Sequence, residues 1–205
     1  MAQQEDKKKR RVTVAEKRRR GIRDIIWPNL DDKRLWLREG SVGFITIPRT
    51  LPLIVEIINC MTKGAPAGSA YLELWCRSFD ECYVDMDDEE GMAFTTGFTG
   101  QRAVTTWRGR IRSLQELGFI DVKAKGGHTY ALIYNPYQVI YQHHQTKTSG
   151  LTEDHYAALE IRVENIGASD LVQAKHLAAV AASADEESPP PKTAKKTATR
   201  TSKTK

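Results

Sequence analysis

The chain has 205 residues, 40% of them hydrophobic and 28% charged, with a formal net charge of +5, which suits one ordinary folded domain with flanking segments. It has no run of about 18 apolar residues, which argues against a membrane-spanning helix; its charged N-terminus lacks the apolar core of a secretory leader, so a cytoplasmic protein is expected. Residues 7–23 hold ten Lys or Arg against Glu16 alone and residues 188–205 hold six and no acid, so these segments carry +15 and the remainder −10.

Residues 1–24 contain KKKRR and EKRRRGIR. Like-charge blocks repel themselves and seldom fold alone. A disordered basic arm that neutralises phosphates is expected there, with a solvated tail as the plainer alternative. Residues 25–184 are expected to form the domain. Ile22–Trp36 mixes apolar and charged residues around Pro28 and is expected to wrap it. Gly43–Ile47 reads as a short strand. After Pro48, the residues Leu51, Ile54, Val55, Ile58 and Met61 recur at helical spacing. Gly64–Gly68 turns the chain, and a second amphipathic helix carries Tyr71, Leu72, Trp75 and Phe79. Both helices read as core. Cys60, Cys76 and Cys82 are odd in number and lack CxxC spacing, so buried reduced thiols are expected. His143, His144 and His155 do not complete a zinc set. No metal and no cofactor are expected.

The stretch from Asp80 to Glu90 is strongly acidic. It lacks the ordering of a calcium loop, whereas Asp88–Glu90 suit a helix N-terminus, where the dipole favours negative charge. Such a face repels phosphate and is expected to point away from DNA. A helix over about Asp88–Thr96 follows, with Met92, Ala93 and Phe94 as candidates for its core side. Gly97 turns the chain, Phe98 plugs the turn and Thr99 is placed to cap the next helix.

That helix is expected over about Gly100–Leu117. At 100° per residue Ala103, Val104, Trp107, Ile111 and Leu114 share one face, with Leu117 at its margin. The opposite face carries Arg102, Thr105, Thr106, Gly109 and Ser113, flanked by Arg108 and Arg112, while Arg110 lies near the other edge of the core stripe. An arginine near a helix start can bond guanine O6 and N7 together. Gly109 in an exposed helix interior costs about 1 kcal/mol against alanine, a cost that a close backbone approach would explain. Gly118 ends the helix. Ile120–Lys125 and Tyr130–Tyr134 then alternate as strands around a Lys125-Gly126-Gly127-His128 turn, stopped by Asn135-Pro136. Residues 101–125 carry +4 inside an acidic body.

The run Gly97-Phe98-Thr99, Arg102, Val104, Trp107, Arg110-Ile111, Leu114, Glu116-Leu117-Gly118-Phe119-Ile120, followed by a hairpin, resembles the winged helix-turn-helix superfamily. Bacterial regulators and plasmid or phage replication initiators of that superfamily end their recognition helix similarly. The resemblance covers residues 86–136 closely and 44–79 loosely. It implies that Arg102, Thr105, Thr106, Gly109 and Arg112 sit at the groove and Lys123 and Lys125 at the wing. One departure stands out, a recognition helix about one turn longer than usual. The candidate DNA-contacting set is Thr99, Gln101, Arg102, Thr105, Thr106, Arg108, Gly109 and Arg112, with Lys123, Lys125 and His128 on the wing.

Beyond Pro136 three more helices are expected. Tyr137, Ile140 and Tyr141 mark the first. Tyr156, Leu159, Val163 and Ile166 mark the second, begun by Thr152. Leu171, Val172, Leu177 and Val180 mark the third, capped by Ser169. These close the core or pair with a second copy. The segment 185–205, rich in Lys, Thr, Ala and Pro, cannot bury enough surface to order itself and is expected to be disordered.

The expected fold is mainly α with a small β-hairpin, a winged helix-turn-helix domain with extra flanking helices. No Ser/His/Asp arrangement, glycine-rich phosphate loop or metal set points to catalysis. The expected function is non-catalytic, sequence-specific binding of double-stranded DNA by a transcriptional regulator. A plasmid or phage replication initiator or accessory factor is the alternative, and a protein-interaction scaffold a third. The expected partners are double-stranded DNA, a second copy and the transcription or replication machinery, with no membrane.

Overall fold

The computed structural model describes residues 13–38 and 41–186. The tail from Ser188 and the first half of the basic arm lie outside the described residues. The chain divides into two units, residues 1–44 and residues 45–205. No helix among the described residues is long and apolar enough to cross a membrane.

The first unit holds α1, Val14–Ile26. Thr13 and Glu16 form a reciprocal capping box, with Thr13 Oγ1 accepting from the Glu16 amide and Glu16 accepting from the Thr13 amide at 2.7 Å. The second half of the expected disordered arm is therefore helical. A complete cap satisfies two orphan donors at the helix start, and charge alone does not reveal it. No α1 residue is buried. Pro28 follows its end, and Asp32–Arg34 form a single 3-10 turn. Trp36 meets Phe44 edge to face, and the Arg38 guanidinium lies 4.7 Å from the Phe44 ring centre.

The second unit begins with extended chain. The strand expected over Gly43–Ile47 does not form, since no other segment among the described residues offers it a ladder. Helix α2, Leu51–Met61, starts with Pro52 in its first turn, where a missing N–H costs nothing. Helix α3, Gly68–Arg77, packs tightly on it: a Cβ at Gly68 would lie 2.6 Å from the Val55 carbonyl oxygen. Leu51, Ile54, Ile57 and Ile58 from α2 and Ala70, Tyr71 and Leu74 from α3 are buried. Leu72 is exposed, and Phe79, outside the helix, is 81% exposed. The thiol expectation needs correcting: Cys60 is half-buried, and Cys76 and Cys82 are exposed, all three unpaired.

Strand β1, Tyr83–Asp85, arises within the acidic stretch. Helix α4, Glu89–Thr95, is capped by Asp88, which accepts from the Gly91 amide at 3.0 Å. Helix α5 spans Ala103–Glu116, followed by β2, Ile120–Lys125, and β3, His128–Ile133. The three strands form one antiparallel sheet in the order β1-β3-β2. Val84 and Val122 both pair with Ala131, and Ile120 pairs with Ile133. This row faces the core: Val84, Ile120, Ala131 and Ile133 are buried. The alternate row, with Tyr83, Leu132 and Tyr134, faces out.

Helices α6, Pro136–Gln145, α7, Glu153–Asn165, and α8, Asp170–Glu186, complete the unit. Asn135 caps α6 and Thr152 caps α7. Tyr137, Ile140, Tyr156, Leu159, Val163 and Leu171 join the same core cluster as α2–α5. Val172, Leu177 and Val180 are exposed instead, because α8 presents Leu171 and Ala174 inward. It also runs to Glu186, past the expected domain end. Thus eight helices and a three-stranded antiparallel sheet make up the described residues.

Candidate nucleic-acid interface

The turn between α4 and α5 is built as its residues dictate. Gly97 adopts φ +86°, which a Cβ-bearing residue enters only at a cost. The Phe98 amide then returns to the Ala93 carbonyl at 2.9 Å. Phe98 packs half-buried against the core, and the Arg110 guanidinium lies 5.6 Å from its ring centre. Arg110 thus fastens the turn to the middle of α5 rather than serving the outer face.

Two expectations about the start of α5 need correction. The cap position is Arg102, without a side-chain cap, and Thr99 is exposed and outside the helix. Gly100, at φ +78°, inserts a further turn before the helix begins. The helix is therefore 14 residues long, and the extra turn expected from the sequence is absent.

The two faces of α5 segregate. Trp107, Ile111 and Leu114 are buried. Arg102, Thr105 and Arg112 are exposed, and Thr106 and Gly109 half-buried. Arg102, Thr105, Gly109 and Arg112 recur at intervals of three, four and three residues, so they form one stripe. Gln101 is exposed just before it. A Cβ at Gly109 would meet nothing within 4 Å, so nothing inside the described fold requires a glycine there. Arg102 and Arg112 make no ion pair among the described residues.

Strands β2 and β3 form a tight hairpin. Gly126 and Gly127 take φ +64° and +87°, the two positive values a type I′ turn requires. Lys125 and His128 face each other across it. Lys125 is exposed and makes no ion pair among the described residues. Lys123 is exposed but reaches back to Asp121 at 2.9 Å, which raises its pKa.

The acidic stretch does not point away from this surface. Glu89, in the first turn of α4, binds Arg108 through Nε at 2.8 Å and Nη2 at 2.5 Å and raises its pKa. Asp87 binds His128 Nδ1 and accepts the Thr129 amide at 3.1 Å. The imidazole, with that amide, holds the Asp87 carboxyl below its ordinary value, and Asp87 raises the imidazole. Arg108 and His128 are therefore already held by acids, whereas Arg102, Arg112 and Lys125 are not. Glu89 and Asp87 were not among the residues expected at the site. Their charge is visible in the sequence, but their partners lie 19 and 41 residues away.

Chemically the surface offers arginine forks and threonine hydroxyls along one helix face, with a lysine on an adjacent hairpin. Comparison with protein-family models, curated proteins and solved structures finds no match to this chain.

Proposed function

We propose that residues 45–186 form a winged helix-turn-helix domain that binds duplex DNA, with α5 in the major groove and the β2–β3 hairpin as the wing. One observation carries the reading. The element order α3-β1-α4-α5-β2-β3, with sheet order β1-β3-β2, leads from a helix face with exposed Arg102, Thr105 and Arg112 around half-buried Gly109 into a hairpin that carries Lys123, Lys125 and His128. A helix face of this kind is what base reading in the major groove requires. The basic arm and tail add salt-sensitive affinity without sequence preference. The protein acts as a transcriptional regulator in this reading; a replication initiator would use the same surface and differ in what it recruits.

A scaffold role is the second reading. It is favoured by the neutralised Arg108 and by the exposed apolar row Tyr83, Leu132 and Tyr134 on the outer sheet face. Selection of bound sequences from random duplexes separates the two. A defined motif supports base reading, and a palindromic motif adds a dimer. No enrichment, together with unchanged duplex binding by Arg102→Ala/Arg112→Ala at matched salt, removes the DNA reading. Arg102→Ala alone is expected to cost roughly 1–3 kcal/mol and to relax specificity.

A further inference from the structure

We propose that Asp85, Asp87 and His128 form a site for one first-row divalent cation, Zn2+ in the first instance, at the tip of the β2–β3 hairpin. One ligand atom from each, the imidazole nitrogen and a carboxylate oxygen of each aspartate, lies within 4.8 Å of the other two. The convergence is set by the backbone. Asp85 ends β1, His128 opens β3, and the ladder pairs Asp85 with Tyr130, two residues from His128. Asp87 follows β1 and is oriented from outside the trio by the Thr129 amide on one oxygen, which leaves the other directed at His128.

The donor set selects the ion. Magnesium and calcium prefer all-oxygen shells, whereas an imidazole with carboxylates suits zinc and its first-row neighbours. Zinc draws nitrogen and oxygen ligands to about 2.0–2.2 Å, a contraction that side-chain rotation achieves because all three residues are exposed. Three protein ligands leave a fourth position for water or another oxygen.

The charge balance points the same way. Residues 85–90 hold five carboxylates. Glu89 is matched by Arg108, and Asp88 by Arg77 at 3.3 Å and by its helix terminus. Asp85 makes no ion pair among the described residues. Two carboxylates thus converge on a single imidazole that cannot offset both, so the trio is net negative, across the turn from Lys125. A bound dication neutralises the two carboxylates and offers its open position to a phosphate oxygen. This last role rests on the DNA reading; the site itself does not.

The test uses tag-free full-length protein, stripped with chelator and titrated with Zn2+ alone by calorimetry. One equivalent is expected to bind, and Co2+ is expected to give a visible absorption band of a nitrogen–oxygen ligand set. Asp87→Asn with His128→Ala is expected to abolish both at an unchanged helical circular dichroism signal. Asp85→Asn is expected to weaken binding by at least about tenfold. No saturation by about 1 mM Zn2+, or undiminished binding in the double variant, overturns the site. Should the double variant lose its helical signal, His128→Gln alone decides: loss of the equivalent supports the site, and retention overturns it. Duplex binding in chelator and in saturating Zn2+ separates the two readings. Equal affinity in both removes the cation's role at DNA, and no duplex binding in either removes the DNA reading; both leave the site standing.

Discussion

Glu89 on α4 grips the guanidinium of Arg108 on α5 through three hydrogen bonds, 3.1, 2.8 and 2.5 Å long. A phosphate would compete for the same fork. Glu89→Gln is expected to free Arg108, raise duplex affinity by a few fold at low salt and steepen the salt dependence by about one unit. Binding measured across a salt series checks this. An unchanged slope in Glu89→Gln would mean that Arg108 only ties the two helices together.

Gly109 separates stability from binding. Its added Cβ would meet nothing within 4 Å, and alanine restricts the unfolded chain, so Gly109→Ala is expected to stabilise the protein by about 0.4–1 kcal/mol. If a nucleic-acid backbone approaches there, the same variant binds duplex more weakly. Urea denaturation and duplex titration on one preparation read both effects. A more stable variant with wild-type binding would remove Gly109 from the interface.

The β2–β3 turn has a conformational requirement that only certain residues meet. Gly127 sits at φ +87°, so Gly127→Val is expected to cost at least about 1–2 kcal/mol, measured by urea unfolding. Gly126→Asn is expected to be tolerated, since asparagine favours the first position of a type I′ turn. Equal stability of the two variants would argue against this turn.

A buried hydroxyl pair links the start of α2 to α6. Thr50 and Tyr137, 1% and 4% exposed, share a hydrogen bond of 2.5 Å. Thr50→Val or Tyr137→Phe each strands the other hydroxyl and is expected to cost about 1–3 kcal/mol. The double variant is expected to cost less than the sum of the two. Strict additivity in that cycle would show that the two hydroxyls do not depend on each other.

Much of the second unit was legible in its residues. The spacing of Leu51, Ile54 and Ile58 marks α2, and Thr152 marks the start of α7 within a residue. Trp107, Ile111 and Leu114 identify the inner face of α5. Gly126-Gly127 locates the hairpin turn, and Asn135-Pro136 the start of α6. Less legible was β1, whose sequence Tyr83-Val84-Asp85 contains one buried residue between two exposed ones. Such a segment is a strand only because β3 supplies a ladder. Thr99 was misread because the side chain suits a cap, while the Gly100 turn delays the helix.

Helical and strand periodicity are local consequences of backbone geometry, so the sequence alone determined the helices of the second unit, the hairpin and the inner face of α5. It also determined that the positive charge is concentrated at the ends and that an island at 101–125 stands in an acidic remainder. Only the tertiary structure decided where that acid lies. It set Glu89 against Arg108 and Asp87 against His128, because α4 packs beside α5 and β1 pairs with β3. Charge pairing follows distance in space, which residues 19 and 41 positions apart do not reveal. Arg108, Lys123 and His128 are in consequence matched by carboxylates, whereas Arg102, Arg112 and Lys125 have no ion pair among the described residues.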